Sequence, residues 1–137
     1  MATRLATPKP KPATAPSAGA ALRTFFNIAK AWALNEQQTM TLLGFDAGTR
    51  STYFKWKKNP DSARLSRDKL ERLSYVFGIY KALQLLLPDP AAADGWLRRP
   101  NDAAPFAGRP ALERLLSGNV ADLYVVREYL DTARGWS

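Results

Sequence analysis

The sequence predicts an all-α protein in which an N-terminal lobe of short helices is joined by a long buried helix to a small C-terminal helical lobe. Three observations lead there. Beyond residue 20, apolar residues recur at spacings of three and four, as they do on amphipathic helices. Ser, Asn, Asp and Pro open these stretches and Gly or Pro closes them, which is the punctuation of helix caps. No segment sustains over five or more residues the alternation that marks a half-buried strand, and there is no internal repeat.

Taken in order, residues 1–19, MATRLATPKPKPATAPSAG, hold four Pro and no aromatic residue. Such a segment buries too little apolar surface to offset its ordering entropy, so it reads as a disordered basic tail. From Ala20, the positions Leu22, Phe25, Phe26, Ala29, Trp32 and Ala33 trace one helix with an aromatic inner face. Asn35 is placed to N-cap a second helix with Gln38 as its capping-box partner, Met40, Leu42 and Leu43 supply the apolar side, and Gly44 ends it. After the short connection GFDAG, Thr49 is placed to cap a third helix through about Lys57, and Pro60 breaks the chain.

Ser66 opens the longest helix, with Asp68 in the first turn, where a negative charge complements the helix dipole. It runs to Leu87. From Val76 onward, Phe77, Ile79, Tyr80, Leu83, Leu85, Leu86 and Leu87 leave little polar face, so this helix should be buried on several sides and connect the lobes. Asp89 and Pro90 read as N-cap and first helical residue of a fifth helix carrying Trp96 and Leu97. Pro110 again suits a first helical position, Leu112, Leu115 and Leu116 form one face, and Gly118 suits the left-handed site after the helix. Asn119 caps a last helix containing Leu123, Val126, Tyr129, Leu130 and Ala133, followed by Arg134-Gly135-Trp136-Ser137. The predicted division is therefore a tail over 1–19, a first lobe over 20–65, and the connecting helix with the second lobe over 66–137.

Composition narrows the chemistry. The chain has neither Cys nor His, which removes imidazole and thiolate bases, nucleophiles and metal ligands and leaves only carboxylate, Lys, Tyr or Ser chemistry. An enzyme is not expected, nor a cofactor, nor a metal. The longest apolar stretch, from Ala82 to Leu87, is far short of the ~20 residues of a membrane span, and no secretory segment follows Met1, so a cytoplasmic protein with no membrane partner is expected. The net charge of +8 is unevenly distributed. Residues 21–65 carry seven basic and three acidic side chains, whereas residues 66–137 carry ten and nine. This asymmetry points to an anionic polymer for the first half and a protein surface for the second.

The first lobe has the layout of a helix-turn-helix, in which the second helix enters the major groove. In LGFDAGTRSTYFKW, Tyr53 and Trp56 are three apart and face the core, which turns Arg50, Ser51, Thr52 and Lys55 outward. Arg can fork onto guanine, Ser and Thr can bond phosphates or base edges, and Lys55, Lys57 and Lys58 can neutralise backbone charge. One lobe of this size touches few bases, so a homodimer on two half-sites of operator DNA is expected.

Together these residues resemble the Xre/MbcA/ParS-like antitoxins, which pair with RES-domain toxins. LGFDAGTRSTYFKW resembles the family's Xre-type helix-turn-helix. GWLRRPNDAAPFAGRPALERLLSGNVADLYVVREYLDTARGW resembles its toxin-binding domain in the Trp96-Leu97 helix, Asn101, Phe106-x-Gly108, Pro110 with Leu112, Leu116-x-Gly118, and the terminal helix ending at Arg134-Gly135. The likeness spans about residues 20–137. It implies a type II antitoxin that silences a cognate toxin which consumes NAD or transfers ADP-ribose from it, by covering the toxin's active site, and that represses its own operon. The residues it implicates in toxin binding are Asn101, Phe106, Arg109, Leu112, Leu116, Arg127, Tyr129, Arg134, Gly135 and Trp136.

Plainer roles exist for several of these. Phe106 and Trp96 suit a core, and Arg127 and Arg134 lie four and three residues from Asp131, within reach of surface ion pairs. A stand-alone helix-turn-helix regulator with a C-terminal dimerisation lobe is the alternative function. Glu128 and Asp131 are a helix-spaced carboxylate pair, but neighbouring Arg residues would hold them ionised, a poor arrangement for a general acid.

Overall fold

A computed structural model describes residues 17–135. Most of the predicted tail, and the predicted contact residue Trp136, lie outside the described residues. The predicted all-α architecture is observed, with seven α-helices among the described residues.

Helix α1 (Ala18–Ala31) starts inside the segment assigned to the tail, because Ser17 caps it: the Ser17 hydroxyl accepts a hydrogen bond from the Ala20 N–H at 3.1 Å. Leu22, Phe25, Ile28 and Ala29 are buried, as is Trp32 just beyond the helix. The helix also stops two residues before Ala33. The Leu34 N–H reaches the Ala29 carbonyl and the Ala33 N–H reaches the Lys30 carbonyl, each at 3.0 Å, which is a Schellman ending. That ending holds Ala33 at φ 56, left-handed backbone in which a Cβ is penalised. Ala33→Gly should therefore raise stability by roughly 0.5–1 kcal/mol, seen as a higher urea midpoint at unchanged slope.

Helix α2 (Glu36–Leu42) carries the expected capping box. The Gln38 N–H donates to Asn35 Oδ1 at 2.8 Å and the Asn35 N–H donates to Gln38 Oε1 at 2.9 Å. It closes with the same Schellman geometry as α1, here with glycine in the left-handed position: Gly44 has φ 82. The next cap differs from expectation. Asp46, not Thr49, opens this segment by capping a 3₁₀ turn over Ala47–Thr49, and the two side chains bond each other's backbone N–H at 3.0 and 3.1 Å. The Thr49 hydroxyl is thereby occupied and makes no cap to α3 (Arg50–Lys58). A second 3₁₀ turn, Pro60–Ser62, packs on α1, where Arg23 pairs with Asp61 at 2.7 Å.

Helix α4 (Arg67–Leu86) begins at the predicted Ser66 cap. Leu73, Val76, Ile79, Ala82 and Leu83 are buried as it packs against α1 and the C-terminal helices. Burial is not all-round, since Leu70 and Leu85 remain 52% and 58% exposed. Helix α5 (Pro90–Gly95) starts on Pro90 as expected, although the Asp89 side chain makes no cap bond, and it passes into a 3₁₀ turn over Trp96–Arg98.

Two short strands, β1 (Pro100–Asn101) and β2 (Arg109–Pro110), pair antiparallel, with Pro100 opposite Pro110 and Asn101 opposite Arg109. The sequence gives no warning of them, because two residues show no alternation. They close the intervening loop, and the Gly108 N–H donates to the Asn101 carbonyl at 2.8 Å. Because Pro110 ends β2, it is the N-cap of α6 (Ala111–Leu115) rather than its first helical residue. Gly118 is left-handed as expected, at φ 90, but one residue later than predicted, since Leu116 is the C-cap and Ser117 intervenes. Helix α7 (Val120–Ala133) follows, with Asn119 at the N-cap position but without a side-chain cap bond. Its buried residues Leu123, Val126 and Leu130 join a single apolar cluster that runs through α4 to Ala21, Leu22 and Phe25 on α1.

Candidate functional site

Helix α3 is held by an aromatic and an ionic contact. Tyr53 is fully buried among the rings of Phe26, Phe45 and Phe54. Its hydroxyl donates to the Glu36 carboxylate at the start of α2, and Lys57 Nζ donates to the same carboxylate at 2.8 Å. Lys57 foremost, with the Tyr53 hydroxyl, holds the Glu36 carboxyl below the usual range, while burial first and then the hydrogen bond to Glu36 push the Tyr53 phenol up. Glu36 thus ties the start of α2 to α3.

A carboxyl lowered on folding gives its full stabilisation above the unfolded value of ~4.3, and this is lost as pH falls through the folded value. The melting temperature should fall on acidification from about pH 4.5 downward. Glu36→Gln, expected to cost about 0.5–1 kcal/mol at neutral pH, should lose its deficit against the wild type over the same window. Thermal melts of both proteins across pH 3–7 check this.

All six residues predicted to face DNA, namely Arg50, Ser51, Thr52, Lys55, Lys57 and Lys58, are exposed, but they do not share one stripe. Ser51, Lys55 and Lys58 have the spacing of a single outward face. Lys57 lies on a flank, tied back to Glu36, and Thr52 lies on the other flank. The Arg50 guanidinium lies over the Phe54 ring, 4.9 Å from its centroid, and 3.6 Å from Met40 Sδ. Phe54 itself, within the outward stripe, escaped the sequence reading.

In the C-terminal half, Trp96, Phe106 and Tyr129 form a ring trio with centroids 5.2 to 6.2 Å apart. Phe106 is buried at its centre, the core placement that its residue type suggested. Asn101 shapes the loop, and its Oδ1 accepts from the Ala103 N–H at 2.9 Å. Arg109 is exposed and pairs with Glu113 at 2.6 Å. Two shallow clefts flank α6: one of about 280 Å³ lined by Pro105, Arg109, Glu113 and Arg114, and one of about 260 Å³ lined by Gln38, Arg98, Leu112 and Leu116.

Arg127 and Arg134 lie elsewhere. Arg127 Nε is 3.2 Å from Asp131, its Nη1 donates to the Ser74 carbonyl at 3.2 Å, and its guanidinium lies on Gly78, where a Cβ would approach within 2.3 Å. Arg134 Nη1 is 3.7 Å from Asp131. These arginines occupy the flank of α7 opposite Tyr129. The predicted contact residues therefore fall into two groups, one around α6 with the ring trio and one around Asp131; Gly135 follows the second group at φ 85.

Two braces had no local signal. Arg98 Nη2 donates to the carbonyls of Trp32 and Ala33 at 3.0 and 2.9 Å, capping α1 from across the molecule. Arg114 joins Asp122 at 2.8 Å and the Pro105 carbonyl at 2.6 Å, and Ser117 also bonds Asp122. Ser117 first, and then Arg114, hold the Asp122 carboxyl low. Among the described residues there is no cluster of three potential metal ligands, and no helix is long and apolar enough to cross a membrane. Asp131 lies between Arg127 and Arg134, so it is not paired with Glu128 as an acid and a base would be.

This architecture matches known proteins in two blocks. Residues 12–78 match the antitoxin Xre-like helix-turn-helix domain, and residues 82–135 match the antitoxin Xre/MbcA/ParS C-terminal toxin-binding domain. The first block ends and the second begins within α4. The chain is also 47% identical over 116 residues to the uncharacterised protein y4oB of Sinorhizobium fredii (strain NBRC 101917 / NGR234), which covers 85% of each chain. A protein toxin is accordingly the partner to which the C-terminal half is suited. The chain belongs to the Xre/MbcA/ParS antitoxin family, as a type II antitoxin with an Xre-like helix-turn-helix domain followed by a toxin-binding domain.

Proposed function

We propose that the protein silences a RES-domain toxin that consumes NAD or transfers ADP-ribose from it, by covering the mouth of the toxin's cleft, and that it does so in the cytoplasm without catalysing a reaction itself. The observation that carries this reading is the toxin-binding match over 82–135, in a half where Arg98, Arg114 and Arg127 serve as braces and two clefts lie beside α6. Arg109 and Leu116, on the rims of those clefts, together with Arg134, Gly135 and Trp136, are the proposed contacts. Asn101, Phe106, Leu112, Arg127 and Tyr129 hold the surface in shape. Aromatic and arginine anchors are the residues that dominate such interfaces.

A truncation tests the occlusion. Removing residues 134–137 should leave a purifiable complex in which the toxin regains NAD-consuming activity. A complex that stays silent rejects that segment as the plug.

We also propose that α3 binds operator DNA and represses the operon, with the protein acting as a homodimer. The exposed stripe of Ser51, Lys55 and Lys58 beside Arg50 supports the DNA contact. An open apolar groove of about 670 Å³ along α1 and α4, lined by Ala21, Leu65, Leu70, Leu73 and Phe77, supports a second copy.

A further inference from the structure

Phe54 is the large apolar side chain that the outward face of α3 leaves in water, 37% exposed. It stands three residues after Ser51 and four before Lys58, in a helix with no acidic residue. It is also held in place. The Tyr53 ring meets it edge-on at 5.0 Å, and the Arg50 guanidinium lies over its face at 4.9 Å. The result is a fixed aromatic body surrounded by cations and hydroxyls.

A matching surface is anionic overall and presents a small apolar group among hydrogen-bond acceptors. The major-groove edge of a thymine offers this combination, its 5-methyl group lying beside O4 and between phosphate-lined walls. An acidic protein surface would satisfy the cations. The Arg fork and the Ser hydroxyl in the first turn of a narrow helix favour a base edge instead.

We propose that Phe54 is a base-reading residue whose ring takes up the 5-methyl group of a thymine, while Arg50, packed against that ring, is aimed at a neighbouring guanine. This rests on the DNA-binding reading above and adds to it the base class that α3 selects.

The test uses the full chain and a duplex covering the region upstream of its own gene, prepared once with thymidine and once with deoxyuridine throughout. Dissociation constants are measured for the wild type and Phe54→Ala at one salt concentration. The wild type should bind the thymidine duplex roughly tenfold more tightly than the deoxyuridine duplex, and Phe54→Ala should bind both about as the wild type binds the latter. Any change in duplex shape caused by deoxyuridine acts on both proteins and cancels in the comparison. Indifference of the wild type to the methyl groups overturns the proposal, without any variant having to fold. Retention of the full preference in Phe54→Ala overturns it as well, since the methyl would then be read elsewhere. So does unchanged DNA affinity together with weakened toxin co-purification, which would assign the ring to a protein partner. Failure of the wild type to bind either duplex refutes the DNA-binding reading itself.

Discussion

Exchanging Arg50 and Lys55 together for Glu should abolish retention of operator DNA while leaving the toxin neutralised. Two cations on the outward side of α3 become two anions, and a dimer would double the change. Each phosphate contact steepens the dependence of binding on salt, and each good Arg–base pair is worth about 1–3 kcal/mol, so a loss of roughly a hundredfold or more is expected. A gel shift across a salt series reads the first effect and co-purification with the toxin reads the second. Both residues are exposed; the Arg50 exchange gives up its packing on Phe54 and Met40, so a thermal melt of the variant accompanies the gel shift. Loss of both activities would mean that the two halves do not divide the tasks, against the charge asymmetry that assigns the anionic partner to the first.

The second large effect is expected from Phe106→Ala. Its ring is buried against those of Trp96 and Tyr129, within the loop that leads into α6. Truncation should destabilise by ~3–5 kcal/mol, from lost burial and from the cavity left behind. That is a large fraction of the ~5–15 kcal/mol that holds a domain folded. Neutralisation should therefore fall with the melting temperature, although Phe106 itself hardly reaches solvent. Phe106→Leu refills most of the space and should recover most of both. A variant that melts normally yet fails to hold the toxin would instead make Phe106 a direct contact.

The same distinction between buried and reachable residues explains what could be read from the sequence. Asn35 with Gln38, Ser66, Pro90 and Gly44 act locally, within three or four residues, and the structure places each where its chemistry predicted. Asp46 was legible in the same way, since Asp-x-x-Thr is a reciprocal cap, but Thr49 drew attention first. Ala33 was not legible, because a Schellman ending without glycine has no signature. The Arg98 bonds to α1 and the Arg127 bond to Ser74 join residues more than fifty positions apart, where periodicity has nothing to say. The pairing of Arg127 and Arg134 with Asp131, four and three residues away, was legible for the same local reason as the caps. Phe54 was hidden by its type: a phenylalanine beside Tyr53 reads as core until the helix is seen to turn it outward.

The act proposed for the C-terminal half is the silencing of a toxin. The most direct measurement is cellular NAD during expression of the toxin proposed as its partner, with and without this protein, followed by isolation of the complex. With the antitoxin present, NAD should hold at its resting level and the two proteins should co-purify; without it, NAD should collapse. NAD that falls equally in both cases, or a toxin that is silent without ever binding this chain, would contradict occlusion by this protein.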